Sequence, residues 1–298
     1  MATLRDIKNR ITSVQSTRKI TRTMEMVATA RIRRAQERIE SARPYALAMV
    51  EVLGNVVRYV TDVQHPLLEV HAERNNVLII AVSSDRGLAG AFNSNIMKMA
   101  EGIIAEESAA GARAQLITTG KKALNYFRYR GMDPIASWRD MSDKPTLEHA
   151  RAIGRVVIDG YSGGDFDAVY VLFNRFKNIA DQKPETHQLL PIEHSSLEAA
   201  EEDVARRGAN PEYLFEPGSE AVLESLLPTY VETLVYRALL ESAASEQGAR
   251  RTAMKSATDN ASDMITTLTR SYNRARQAAI TTEIAEIVGG AASLEEDK

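Results

Sequence analysis

The chain has 298 residues, 44% hydrophobic and 26% charged, enough to bury the core of one large domain or two medium ones without covalent staples. It has no cysteine, which excludes a disulfide framework, a thiolate metal site and a cysteine nucleophile. The net charge of −3 speaks against nucleic-acid binding by bulk charge. That charge is unevenly spread. Residues 1–60 carry 12 Lys/Arg against 5 Asp/Glu, a balance of +7, and the remainder stands at −10. A basic end on an acidic body suggests that the first segment meets an acidic partner.

The first element runs from residue 3 to about 60. Leu4, Ile7, Ile11 and Val14 recur at spacings of three and four, a coiled-coil seam. The stripe continues, after a phase shift, with Met24, Val27, Ala35 and Ile39, and then with Leu47, Val50, Leu53, Val57 and Val60. Pro44 allows one helix with a local bend. Arg18, Lys19, Arg22, Arg31, Arg33, Arg34 and Arg38 form the opposite, basic face. Such a helix is roughly 84 Å long, so it must protrude or pair with another long helix.

From about 75 to 195 the period changes. Strands are predicted at 77–82, 114–118, 134–137, 168–173 and, more weakly, 187–192, with helices at 93–108, 121–130 and 147–160. That alternation belongs to an α/β domain with a mainly parallel sheet. Residues 211–288 are again helical, with Met254, Ala257, Ala261, Met264, Leu268, Tyr272, Ala275 and Ala279 as a second heptad seam. Two end helices flanking a domain can pair antiparallel, and the second outlasts the first by roughly 33 Å. That surplus carries Ile280, Ile284, Ala285, Ile287, Val288 and Ala291, apolar on more than one face, as a tip inserted into a partner would be. Gly289 and Gly290 are expected to end the helix, leaving 289–298 as an acidic tail. The predicted fold is α/β: long N- and C-terminal helices forming an antiparallel coiled coil (1–60 and 211–288) with a central Rossmann-like α/β domain (75–195).

Candidate chemistry fails on context. Gly160–Gly164 matches G-x-S-x-G, but a helix precedes it and a strand follows, the reverse of a nucleophile elbow. Ser84–Gly90 sits where phosphate loops sit, yet lacks G-x-G-x-x-G and Gly-Lys-Ser/Thr. His65, His71, His149, His187 and His194 show no metal-ligand spacing, and Asp165 and Asp167 read as a turn. The basic stripe lacks interleaved aromatics, so a solvated face or an acidic protein partner is favoured over nucleic acid. No run reaches the ~18 apolar residues of a membrane helix, and the start carries no signal or transit pattern. The residues alone describe a non-catalytic scaffold without catalytic, cofactor or metal site, its coiled-coil tip buried in a partner.

Three stretches are specific enough to carry a resemblance. Ile20-Thr-Arg-Thr-Met24-Glu-Met-Val-Ala28, the loop Ser84–Leu88 through Asn93, and Ser245–Met254 followed by Tyr272–Ala291 resemble, in order along nearly the whole chain, the gamma subunit of F-type ATP synthases. The resemblance implies a central rotor shaft of bacterial type. Its coiled coil would turn inside a ring of three alpha and three beta subunits, and its α/β domain would rest with epsilon on the membrane c-ring of Fo. An inhibitory small subunit is left open as a further partner. Such a chain couples ring rotation to the beta catalytic sites and has no catalytic residue of its own. It would sit peripherally on the cytoplasmic face of the inner membrane, without spanning it. The implied contacts with the alpha/beta ring are Met24, Arg33, Arg34, Asp85, Arg86, Arg250, Arg276, Gln277, Ile280, Ile284 and Val288. The alternative is a coiled-coil scaffold or adaptor unrelated to a rotary motor.

Overall fold

A computed structural model describes residues 3–58, 65–71, 73–192, 216 and 218–296. Val60, His194 and nearly all of the acidic segment 198–216 lie outside the described residues. The described residues form, in order, α1 (Leu4–Arg58), β1 (Asn76–Val82), α2 (Phe92–Ala109), β2 (Arg113–Thr119), α3 (Lys121–Tyr129), β3 (Ala136–Trp138), α4 (Leu147–Ser162), β4 (Ala168–Phe176), β5 (Gln182–Leu190) and α5 (Ser219–Glu296). The chain divides into two compact units, Met1–Val27 with Arg251–Lys298, and Ala28–Arg250.

In the larger unit the sheet has the order β3-β2-β1-β4-β5, parallel except for the antiparallel pair β4–β5. β1 reads as an unbroken apolar run because both its faces are covered. Leu78, Ile80 and Val82 face one core layer with Met49, Leu53 and Val56 of α1, Ile153 and Val157 of α4, and Leu223, Leu227, Val231 and Val235 of α5. Val77, Ile79 and Ala81 face the other with Ile96 of α2 and Phe127 of α3. β5 reads weakly for a physical reason. It is an edge strand, mostly exposed or half-buried, and it accommodates Pro184. The glycine-rich segment after α4 is a helix-to-strand turn, with Gly164 at φ 78°.

The smaller unit consists of the start of α1 and the end of α5, an antiparallel coiled coil. Buried or half-buried positions on α1 at three–four spacing are Leu4, Ile7, Ile11, Val14, Arg18, Thr21 and Glu25, with Met24 half-buried beside them. On α5 they are Met254, Thr258, Ala261, Ile265, Leu268, Tyr272, Ala275 and Ala279, with Arg251, Ala253, Ala257 and Ser262 half-buried beside them. Thr21 Oγ1 lies 2.8 Å from Thr258 Oγ1 at the seam. Counting outward from this pair in antiparallel register places Leu4, the first residue of α1, opposite Ala275, so α5 outruns that helix past Ala275.

Three details of the sequence reading change. The seam of α1 has no phase shift: the three–four spacing continues in the larger unit through Ala28, Ile32, Ala35, Ile39, Ala42, Ala46, Met49, Leu53 and Val56, whereas Val27 and Leu47 are exposed. Polar Arg18, Thr21 and Glu25 occupy seam positions and hide the repeat, so Arg18 does not belong to the free basic face. On α5, Ile265 takes the seam position assigned to Met264, which is exposed. Finally, α5 starts at Ser219 and runs through Pro228 and past Gly289-Gly290 to Glu296. Glycine only weakens a helix interior by about 1 kcal/mol against alanine, and the following Ala-Ala-Ser-Leu-Glu-Glu favours continuation.

Candidate functional site

The loop after β1, residues 83–91, is built around one carboxylate. Asp85 Oδ1 accepts from the backbone N of Lys121 at 3.1 Å and of Asp140 at 3.0 Å, and Oδ2 accepts from the N of Ser142 at 3.1 Å. The Asp85 N donates to Ser142 Oγ at 3.1 Å in return. Burial pulls this carboxyl up, but the bonds from Asp140, Ser142 and Lys121 outweigh it and hold it below the ordinary carboxylate range. Asp85 therefore faces inward and pins the loop to α3 and to the β3–α4 connection. What the loop presents outward is Arg86 and Leu88, the latter 64% exposed and in the left-handed region at φ 61°. A second residue of that region, Asp140 at φ 62°, stands across the same network.

The underside of the loop meets α5. Arg250 is 7% exposed, bonds Glu246 Oε1 at 2.7 Å and reaches the carbonyl of Gly87 at 3.2 Å. Glu246, 2% exposed, is pushed above its ordinary value by burial, against the pull of Arg250. Arg250 is thus committed inside the chain, as Asp85 is. The resemblance implies both as contacts with a partner; in the structure their side chains bond within the chain.

The remaining candidates are at the surface. Arg33, which pairs with the exposed Glu37 at 3.4 Å, and Arg34 are exposed on α1. Their stripe neighbours Arg31 and Arg38 instead donate to Asp143, at its Oδ2 (2.8 Å) and its carbonyl (3.0 Å). Met24 is half-buried beside the seam, and Arg276 and Gln277 are exposed on α5. Every residue from Ile280 to Val288 is exposed, Ile284 at 57% and Val288 at 62%. Sequence reasoning missed Asp140, Ser142 and Asp143. Their only signal was turn chemistry ahead of Pro145.

Among the described residues no three His, Asp or Glu side chains group as a metal would require, and no helix is long and apolar enough to cross a membrane. His71 is tied to Asp167 at 2.8 Å, and Asp167 also accepts from the backbone N of Asn75 and Asn76. His149 caps α4 with Thr146. These histidines and Asp167 secure loops and helix ends.

The architecture defines a class: an α/β domain with a two-helix shaft whose apolar end outruns its partner helix. The ATP synthase family model matches residues 3–294. The ATP synthase gamma chain of Desulforamulus reducens is 47% identical over 99% of this chain and 100% of its own length, and that of Stenotrophomonas maltophilia strain K279a is 44% identical over the same shares. Among solved structures, the Tetrahymena thermophila mitochondrial ATP synthase central stalk/c-ring matches with TM-score 0.59 and 25% identity, covering 80% of this chain and 99% of that one. The fold is also shared by the Euglena gracilis mitochondrial ATP synthase OSCP/F1/c-ring assembly in rotational state 3, at TM-score 0.66 and 19% identity, over 98% and 94% of the two chains. The chain belongs to the ATP synthase gamma-chain family.

Proposed function

We propose that this chain is the central rotor shaft of a proton-translocating ATP synthase, turning with the membrane c-ring and driving the beta catalytic sites through their states in sequence. It is a non-catalytic subunit. The full-length likeness to bacterial gamma chains carries the reading, and the unpartnered apolar end of α5 supports it: such a surface in a soluble helix signals an occupant or a sleeve. In this reading Ile280, Ile284 and Val288 turn inside an apolar collar of the alpha/beta ring, and Met24, Arg276 and Gln277 meet beta loops below it. Arg33, Arg34, Arg86 and Leu88 face the acidic lever of beta. Asp85 and Arg250 support that contact from within. The α/β domain meets epsilon and the c-ring, which places the chain peripherally on the cytoplasmic face of the inner membrane. Coupling of this kind is a rigid-body switch: shaft orientation biases which beta conformation is favoured.

Affinity purification of the tagged chain from its own cells tests this. A complex with nucleotide-binding alpha and beta subunits in 3:3:1 ratio is expected. Recovery alone, or with unrelated proteins, would overturn it.

A further inference from the structure

We propose that Asp143 is a positioning residue for torque: a latch in the β3–α4 connection that fixes the rotation of both shaft helices against the sheet. The proposal rests on the shaft reading above. Asp143 takes two bonds from α1, through Arg31 and Arg38, and one from α5, where Gln247 Nε2 donates to its Oδ1 at 3.3 Å. Arg31 and Arg38 are seven residues apart, two helical turns, so they leave one face of α1 and close on a single residue from above and below. The loop that carries Asp143 is itself anchored. Through Asp140 and Ser142 it hangs on Asp85, and so on the end of β1 and the first turn of α3.

Most other contacts of the helices with the sheet are apolar, the directional exceptions on α5 being Ser245 Oγ, which donates to the Asn174 carbonyl at 2.8 Å, and Arg250, which donates to that of Gly87 at 3.2 Å. Hydrophobic contact is non-directional and resists rolling or sliding weakly. Hydrogen bonds to charged donors are directional and stronger, and weaken steeply once misaligned. Asp143 takes bonds from two charged donors on α1, Arg31 and Arg38, and a longer one on α5, from the neutral amide of Gln247 to its carboxylate. An ordinary surface ion pair would add little to stability; Arg31 and Asp143 are themselves partly exposed. The latch therefore shows itself in stiffness more than in Tm.

The test is single-molecule rotation of the assembled complex, with a bead attached through Tyr129→Cys, a 90% exposed position in a chain without other cysteines. Asp143→Ala and Asp143→Asn are compared with the parent. Both should assemble, hydrolyse ATP and show a broader angular distribution at each dwell, Ala more than Asn. Backbone amides around Arg31 and Gln247 should exchange about two- to fivefold faster, the effect of losing one partly exposed charged bond. An unchanged angular width in Asp143→Ala would overturn the latch. If the Ala variant fails to assemble, Asn decides, and failure of both overturns it by making Asp143 a folding residue. Failure of the parent chain to assemble would instead overturn the shaft reading.

Discussion

Thr21 and Thr258 meet across the coiled-coil seam through their hydroxyls, 2.8 Å apart, and each hydroxyl also lies within donating distance of its own helix, Thr21 of the carbonyl of Arg18 and Thr258 of that of Met254, so that one of the two donates across the seam and the other back to its helix. With one proton apiece, at most one hydroxyl donates across the seam at a time, and the pair acts as a unit. Replacing Thr21 by Val should cost about 1 kcal/mol by leaving Thr258 without its cross-seam partner, whereas the double Thr21→Val/Thr258→Val variant should recover most of it. Thermal unfolding of the four species forms a double-mutant cycle. Additive losses would show that the hydroxyls do not interact.

Asp85 holds three backbone N–H groups. Asp85→Ala should destabilise the chain by about 2–3 kcal/mol, because those donors lose their acceptor in a half-buried site. Its lowered pKa also fixes a pH window. The carboxylate's contribution is complete above the ordinary value of 3.8 and is lost as pH falls through the lowered folded value. Denaturant titrations between pH 6 and pH 2 (roughly the span where that proton binds) should show a steeper acid limb in the parent than in Asp85→Asn.

Glu246 titrates in the opposite sense. Its folded pKa lies above the ordinary 4.5, so its favourable contribution is present below that value and declines as pH rises through the raised one. Glu246→Gln should remove this decline while leaving Arg250 without its ion-pair partner. Stability measured against pH should therefore be flatter in the variant through the weakly acidic range and lower at neutral pH. A parallel pair of curves would show that Glu246 keeps an ordinary pKa.

Two glycines with left-handed backbones separate conformational from steric cost. At Gly120, φ 84°, an added Cβ would stand 2.4 Å from the carbonyl oxygen of Ser83, a backbone atom of the residue just after β1. At Gly131, φ 77°, nothing lies within 4 Å. Gly131→Ala should cost about 1 kcal/mol, and Gly120→Ala well above 3 kcal/mol or failure to fold. Comparable losses at both sites would mean that β1 and the start of α3 can separate.

Ile284→Asp changes only an exposed side chain, so the isolated chain's Tm should stay within the effect of about 0.5 kcal/mol typical of surface changes. In the assembled enzyme the same substitution would place a charge against an apolar collar and lower ATP-driven rotation. Ala261→Pro, which breaks α5 at its seam, should lower ATP synthesis more than deletion of the residues after Ile287. The reverse ranking would count against a shaft.

The α/β order was legible because β1 and β4 are buried on both faces and read as continuous apolar runs. α1 was legible as a helix, but its repeat was not. The seam includes Arg18, Thr21 and Glu25, and a hydropathy pattern cannot count a polar residue whose stem packs while its end reaches out. The same limitation moved Met264 into a position that Ile265 fills. At the loop after β1, residue type and spacing single out the segment, yet the inward turn of Asp85 depends on backbone donors from α3 and the β3–α4 connection, and Arg250 reaches the Gly87 carbonyl 163 residues away. Those partners of Asp85 lie 36 to 57 residues away from it, beyond the reach of any local pattern.

The uninterrupted seven-residue repeat has a mechanical meaning. A strict heptad imposes a left-handed supercoil, since 3.6 residues per turn must be drawn toward 3.5 to keep the seam closed. A two-stranded rope laid in one hand is not symmetric under load. Twist applied in the sense of its lay presses Met254, Ala261 and Leu268 more tightly against the α1 side of the seam, and twist of the opposite sense opens it. A shaft built this way has two torsional stiffnesses, one for each direction of turning, and measuring angular compliance under clockwise and counter-clockwise load would read them separately.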